Sequence, residues 1–163
     1  DLDTVSLIVV PHRVDFSMVA GMTQELSQRG LPFALLSEAK EVSTKVPIVV
    51  VDSMGVLGEV YSLGTWAFVG GACHHQVHNV LEPAFKGLTI AFGPHYHNSR
   101  EAEDLVEQGL VTVVRSVDTL LAWWKDPQIA AMNGERIKNY LRCHLGASDR
   151  FLACEKSQSV VGS

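Results

Sequence analysis

Short apolar runs alternate along this chain with segments of helical spacing, and that alternation restricts the fold more than any other feature. The runs are Val5–Val10, Phe33–Leu36, Ile48–Val51, Trp66–Val69, Thr89–Phe92 and Val111–Val114. Most are continuous and β-branched, with turn residues at their ends. A strand with one wet face alternates apolar and polar residues, whereas a strand covered on both faces is apolar throughout. Between the runs, Met18, Met22 and Leu26 share one helical face that stops at Gly30, and Leu57 and Tyr61 share another that stops at Gly64. Asn79–Lys86 ends at Gly87, and Ser99–Gln108 ends at Gly109, with Ser99 placed to cap. Beyond Asp118 the pattern is helical, with Pro127 at a helix start. Buried strands separated by helices predict an α/β, Rossmann-like parallel sheet with helices on both faces.

Composition bounds the function. The 163 residues suffice for one domain with a real core, and 47% hydrophobic with 19% charged residues is ordinary globular composition. A net charge of -5 argues against nucleic acid as a partner, because phosphate neutralisation needs a basic surface. Cys73, Cys143 and Cys154 form no CxxC pair and are odd in number, which suits a reducing compartment. Cys143 and Cys154 read as ordinary part-buried thiols. No run of about 18 apolar residues is present to span a membrane. Asp1–Thr4 is no basic leader, and position 1 is not Met, which points to excision from something longer. The expected organisation is a binding domain over residues 1–156 and a flexible tail over 157–163.

Ligands of such sheets bind beyond the carboxyl ends of the strands, where loops run into helix N-termini. Those loops are Pro11-His12-Arg13, Asp52-Ser53-Met54-Gly55, Gly70-Gly71 through Asn79, and Gly93-Pro94-His95. One such loop is ordinary turn chemistry, but four on one edge imply a site. The richest stretch runs from Gly70 and Gly71 through His78, Asn79, Val80, Leu81 and Glu82 to Pro83. Two glycines admit a ligand close to the backbone. Asn79 at a helix start would offer amides and dipole to an anion. Glu82, about one turn on, could accept two ribose hydroxyls. The same residues also read as an Asn cap with a first-turn acid, and local physics does not separate the two.

The four blocks Asp52-Ser53-Met54-Gly55, Val69-Gly70-Gly71, His78-Asn79-Val80-Leu81-Glu82-Pro83-Ala84 and Phe92-Gly93-Pro94-His95 together resemble the Kdo (3-deoxy-D-manno-octulosonic acid) transferases. The match in order and spacing is to the family's carboxyl-terminal domain, from about Val5 to Val114. The resemblance implies the C-terminal half of a two-domain GT-B glycosyltransferase that moves Kdo from CMP-Kdo to a lipid A precursor in lipopolysaccharide biosynthesis. It places the CMP contacts at Pro11 with His12 or Arg13, at Ser53, Met54, Gly55 and Val56, and at Gly70, Gly71, His78, Asn79, Val80, Leu81 and Glu82. Arg13 or His12 would face the phosphate, Glu82 the ribose, and Met54 and Gly55 the cytosine. Charge held on the departing CMP helps the glycosidic bond break. The implied base, a glutamate that deprotonates the acceptor hydroxyl, belongs to an N-terminal domain outside this chain. This chain alone would then be soluble and bind donor without transferring sugar, while the whole enzyme would sit at the cytoplasmic face of the bacterial inner membrane. No cofactor and no metal are expected.

The chain departs from the family pattern in three places. The family reads Pro-Arg-His where this chain has Pro11-His12-Arg13, so the guanidinium moves by one position. Val56 replaces an acidic residue, and Cys73-His74-His75-Gln76-Val77 replaces a glycine-rich approach to His78. Rival readings have their own residues. Cys73, His75 and His78 with His95 or His97 could be drawn as a zinc site, although the spacing fits no established pattern. A UDP-sugar transferase or epimerase would share the architecture. A non-catalytic binding module would use Trp123-Trp124 as an aromatic anchor, a pair that reads more simply as packing. Glu101, Glu103 and Asp104 suit a helix start, and Arg136, Lys138 and Arg142 a solvated helix face.

Overall fold

The computed structural model describes residues 7–38 and 47–145. The chain divides into two compact units, Asp1–Val60 and Tyr61–Ser163. In the first, β1 (Leu7–Val9), β2 (Phe33–Leu35) and β3 (Ile48–Val50) form a parallel sheet in the order β1-β3-β2. Ile48, Val49 and Val50 pair with Leu7, Ile8 and Val9 on one side and with Phe33, Ala34 and Leu35 on the other. The central strand β3 is buried at every residue, while the two outer strands are not. That gradient is why Ile48–Val51 reads as an unbroken apolar run.

Helix α1 (Phe16–Gln28) starts at Asp15, whose Oδ1 accepts from Met18 N–H at 2.9 Å. Met18, Met22 and Leu26 do share a face, but α1 buries no residue. With Ser17, Gly21 and Glu25 they line an open depression. Helix α2 (Leu57–Leu63) follows β3.

The second unit holds a parallel sheet of β4 (Trp66–Val69), β5 (Thr89–Phe92) and β6 (Thr112–Val113) in the order β4-β5-β6. Here too the central strand, β5, is buried throughout. Alternation along β5 splits the core between two faces. Ile90 and Phe92 join Val69, Leu105, Ile137 and Leu141 in the larger cluster, while Ala91 joins Val114 and Trp123 in the smaller. Each fully buried Ile or Phe contributes about 1.5–3 kcal/mol, so the first face anchors this unit. Helices α3 (Leu81–Lys86), α4 (Arg100–Glu107), α5 (Val117–Lys125) and α6 (Pro127–Leu145) complete it. Pro127 opens α6 as expected, and Ser99 Oγ caps α4 by accepting from Ala102 N–H at 3.2 Å.

The α/β class with parallel strands is borne out, the pairing running in two three-stranded sheets, one in each unit. β4 and β5 have the predicted bounds, and the other strands are a little shorter than their apolar runs. Val5 and Cys154 and the predicted 157–163 tail lie outside the described residues. Trp123 is buried and meets Trp66 edge-to-face at 4.9 Å, whereas Trp124 is 39% exposed, so the pair divides between packing and surface. Lys138 departs from the solvated-face reading. Its stem lies so close to Gly87 that a Cβ there would meet Lys138 Cε at 2.1 Å. Cys143 is exposed, not part-buried. Among the described residues, no helix is long and apolar enough to cross a membrane.

Candidate functional site

In the first unit the two predicted loops follow the carboxyl ends of β1 and β3. Pro11 is buried, and His12 and Arg13 are exposed. Arg13 Nε lies 3.6 Å from Asp15 Oδ2. The Asp15 carboxyl is held below its usual range mainly by the Met18 amide, then by the Ser17 hydroxyl and, more weakly, by Arg13. The guanidinium therefore lies beside the start of α1.

Asp52 does structural work. Its Oδ1 accepts from Ser37 N–H at 3.0 Å and its Oδ2 from the Ser37 hydroxyl, joining the ends of β2 and β3. Those bonds, the hydroxyl first, lower its pKa. Ser53 is half-buried, and Met54, 83% exposed, projects as a flexible apolar side chain. Gly55 follows it. The Val56 carbonyl accepts from Glu59 N–H and Val60 N–H, both at 3.0 Å, and so is committed to the first turn of α2.

In the second unit the loops after β4 and β5 are stitched into one rim. The carbonyl of Gly71 accepts from His74 N–H at 3.1 Å and His75 N–H at 2.9 Å, and that of Gly70 from His78 N–H at 3.3 Å. Gly71 has φ +87, and a Cβ there would fall 2.1 Å from Gln76 O and 2.9 Å from His78 Nε2. Only glycine fits this bend. Across the rim, His95 N–H donates to Ala72 O at 2.9 Å and Val77 N–H to His95 O at 3.1 Å. Gly93 passes the Ala72–Cys73 backbone within 2.6 Å of where its Cβ would be.

Asn79 and Glu82 come together as expected. Asn79 Nδ2 donates to Glu82 Oε1 at 3.3 Å, and Asn79 Oδ1 accepts from Leu81 N–H at 2.9 Å. The helix starts later than the sequence implies: α3 begins at Leu81, behind an N-cap at buried Val80 whose side chain makes no cap bond. The Asn79 side chain takes the Leu81 amide by reaching forward two residues, and this local bond delays the helix. Leu81 packs partly into the larger core, while Asn79, Glu82 and His78 are exposed.

Two neighbours of this rim carry no sequence signal. Tyr61, packed against the larger core, has its phenol pKa raised by burial and, less strongly, by the negative charge of Glu82. Asn98 clamps Val77, accepting from its N–H and donating to its carbonyl, both at 3.1 Å. A clamp spanning 21 residues has no local motif.

Related proteins can be set beside this geometry. A 3-deoxy-D-manno-octulosonic acid transferase from Chlamydia pneumoniae is 29% identical over 160 residues, covering 94% of this chain and 36% of that protein. The transferase of the same name from Chlamydia muridarum is 35% identical over 98 residues, covering 59% of this chain and 23% of its own length. This chain is similar to the Kdo transferases. It spans about a third of the length of the Chlamydia pneumoniae relative. The crystal structure of the C-terminal CMP-Kdo binding domain of WaaA from Acinetobacter baumannii superposes with a TM-score of 0.75, at 23% identity, over 86% of this chain and 75% of that one. That likeness establishes the fold as that of the C-terminal domain. No family model matches the chain.

The zinc alternative finds no support in the geometry, for no group of three or more His, Cys, Asp or Glu among the described residues is placed to hold a metal ion. Instead, His97 Nδ1 lies 2.7 Å from Glu103 Oε1, and its ring lies 4.4 Å from that of Tyr96.

Proposed function

We propose that this chain is the donor-binding part of a glycosyltransferase that moves Kdo from CMP-Kdo to a lipid A precursor in lipopolysaccharide biosynthesis. The observation that carries the reading is similarity to a Kdo transferase over 94% of the chain, together with a rim in which Asn79 and Glu82 meet beyond β4. In this reading Glu82 accepts ribose hydroxyls, with Asn79 holding its carboxylate in place. Gly70, Gly71 and the backbone of Val80 and Leu81 shape the surface beside it, and His78 lines it. In the first unit, Arg13 or His12 offers positive charge to a phosphate beside Pro11. Ser53, Met54 and Gly55 offer a mobile apolar surface suited to a pyrimidine. For Val56 only the amide is proposed, since its carbonyl is committed to α2.

The chemistry assigned to this chain is to bind and orient the nucleotide and to stabilise the charge that develops on CMP as it departs. The attacking hydroxyl belongs to the acceptor, and the base that deprotonates it to the rest of the enzyme, an N-terminal domain that works at the cytoplasmic face of the bacterial inner membrane. Titration of the 163-residue chain with CMP, UMP and AMP tests the reading. Saturable binding that prefers CMP is expected. A preference for UMP would redirect the assignment to a uridine-nucleotide enzyme of the same fold.

A further inference from the structure

We infer that Asn98 is a positioning residue for the donor site, setting the conformation of the segment that presents Asn79 and Glu82. The inference rests on the nucleotide-binding role proposed above for that segment. The stretch from Gly70 to Asn79 is fixed near its start by the bend at Gly71, where Gln76 O and the His78 ring close over a position with no room for a Cβ. At its other end Val77 is buried and is fixed from outside, by the loop between β5 and α4. Its N–H is shared between His95 O and Asn98 Oδ1, each at 3.1 Å. Its carbonyl receives Asn98 Nδ2–H at 3.1 Å. Asn79 lies two residues beyond, and its amide meets Glu82 at 3.3 Å.

Asn98 thus holds both backbone polar groups of Val77, the N–H of the peptide unit before it and the carbonyl of the one after, which fixes the direction in which the chain leaves toward His78 and Asn79. The arrangement also separates positioning from folding. When the Asn98 side chain is removed, Val77 N–H keeps His95 O, so the buried donor is not orphaned. The bond that disappears without replacement is the one to the Val77 carbonyl, which governs direction. Asn98 itself is exposed, so no core packing is lost.

The test is a double-mutant cycle by calorimetric titration with CMP on wild type, Asn98→Ala, Glu82→Gln and the double variant, with a melting curve for each. Asn98→Ala is expected to weaken CMP binding about tenfold while the protein stays folded, the loss of aligned hydrogen bonding at one residue, Val77. In the Glu82→Gln background the same change should cost less than about twofold, because the group it positions is already impaired. Equal losses in both backgrounds, or no loss in either, would overturn the inference. Should Asn98→Ala fail to fold, Asn98→Gln, with its amide one methylene further out, takes its place with the same expectation of non-additivity. Wild-type protein with no affinity for CMP would remove the donor-site reading itself, an outcome distinct from additive losses in a protein that binds.

Discussion

Replacing Gly71 with Ala should destabilise the second unit by about 3–5 kcal/mol, from two separable causes. The first is backbone conformation: φ at Gly71 is +87, and a left-handed non-glycine residue costs about 1–2 kcal/mol. The second is space. A Cβ would lie 2.1 Å from Gln76 O, whereas ordinary contact needs about 3.5 Å. Relieving that overlap displaces the loop and strains the bonds that His74 N–H and His75 N–H make to Gly71 O and that His78 N–H makes to Gly70 O. Each is worth about 0.5–1.5 kcal/mol net. Two controls in the same unit separate the causes. Gly109 has φ +61 and nothing within 4 Å of its Cβ position, so Gly109→Ala should show the conformational cost alone. Gly93 has no positive φ but would place its Cβ 2.6 Å from the Ala72–Cys73 backbone, so Gly93→Ala should show the steric cost alone. Urea denaturation gives the ranking, and Gly71→Ala should lower the midpoint by about 2 M at a slope near 2 kcal/mol/M. Gly71→Ala no more damaging than Gly109→Ala would refute the reasoning, because the rim would then have no closed bend.

Asn79→Ala should cost about 1 kcal/mol of stability by orphaning the Leu81 amide, and should weaken CMP binding as well, measured by urea midpoint and calorimetry on the same samples. Trp123→Ala should cost about 3–5 kcal/mol, because the ring is buried against Trp66, while Trp124→Ala should stay within about 1 kcal/mol; thermal unfolding of the two variants checks the contrast. The Asp52 carboxyl has its pKa lowered in the folded state by Ser37, so its stabilising effect is complete above its ordinary value of 3.8 and is lost as pH falls below it. Ser37→Ala should therefore lower stability at neutral pH and flatten its fall under acid, read from urea midpoints across a pH series.

Sequence and structure agree where the physics is local or periodic. Trp66–Val69 and Thr89–Phe92 could be bounded to the residue because glycines close both runs and β5 is covered on both faces. Ser99 could be named as a cap because its side chain reaches an amide three residues on. The start of α3 was legible only to within two residues, since the bond from Leu81 N–H to Asn79 competes with the first helical turn. The open depression on α1 was not legible at all, because spacing says which residues share a face but not what covers it. Within the site, the contact between Asn79 and Glu82 follows from spacing along the chain. The clamp from Asn98 and the nearness of Tyr61 to Glu82 arise from tertiary packing, which leaves no pattern in the neighbouring residues.

Calorimetric titration of the wild-type chain and of Glu82→Ala with CMP and with 2′-deoxy-CMP tests most directly whether this rim receives the ribose of the donor. Wild type should bind CMP and discriminate against the deoxy nucleotide by about tenfold, the worth of one charge-assisted hydrogen bond. Glu82→Ala should bind both weakly and equally. Discrimination that survives the substitution, or CMP bound as tightly without the carboxylate, would contradict the assignment of Glu82 to the ribose.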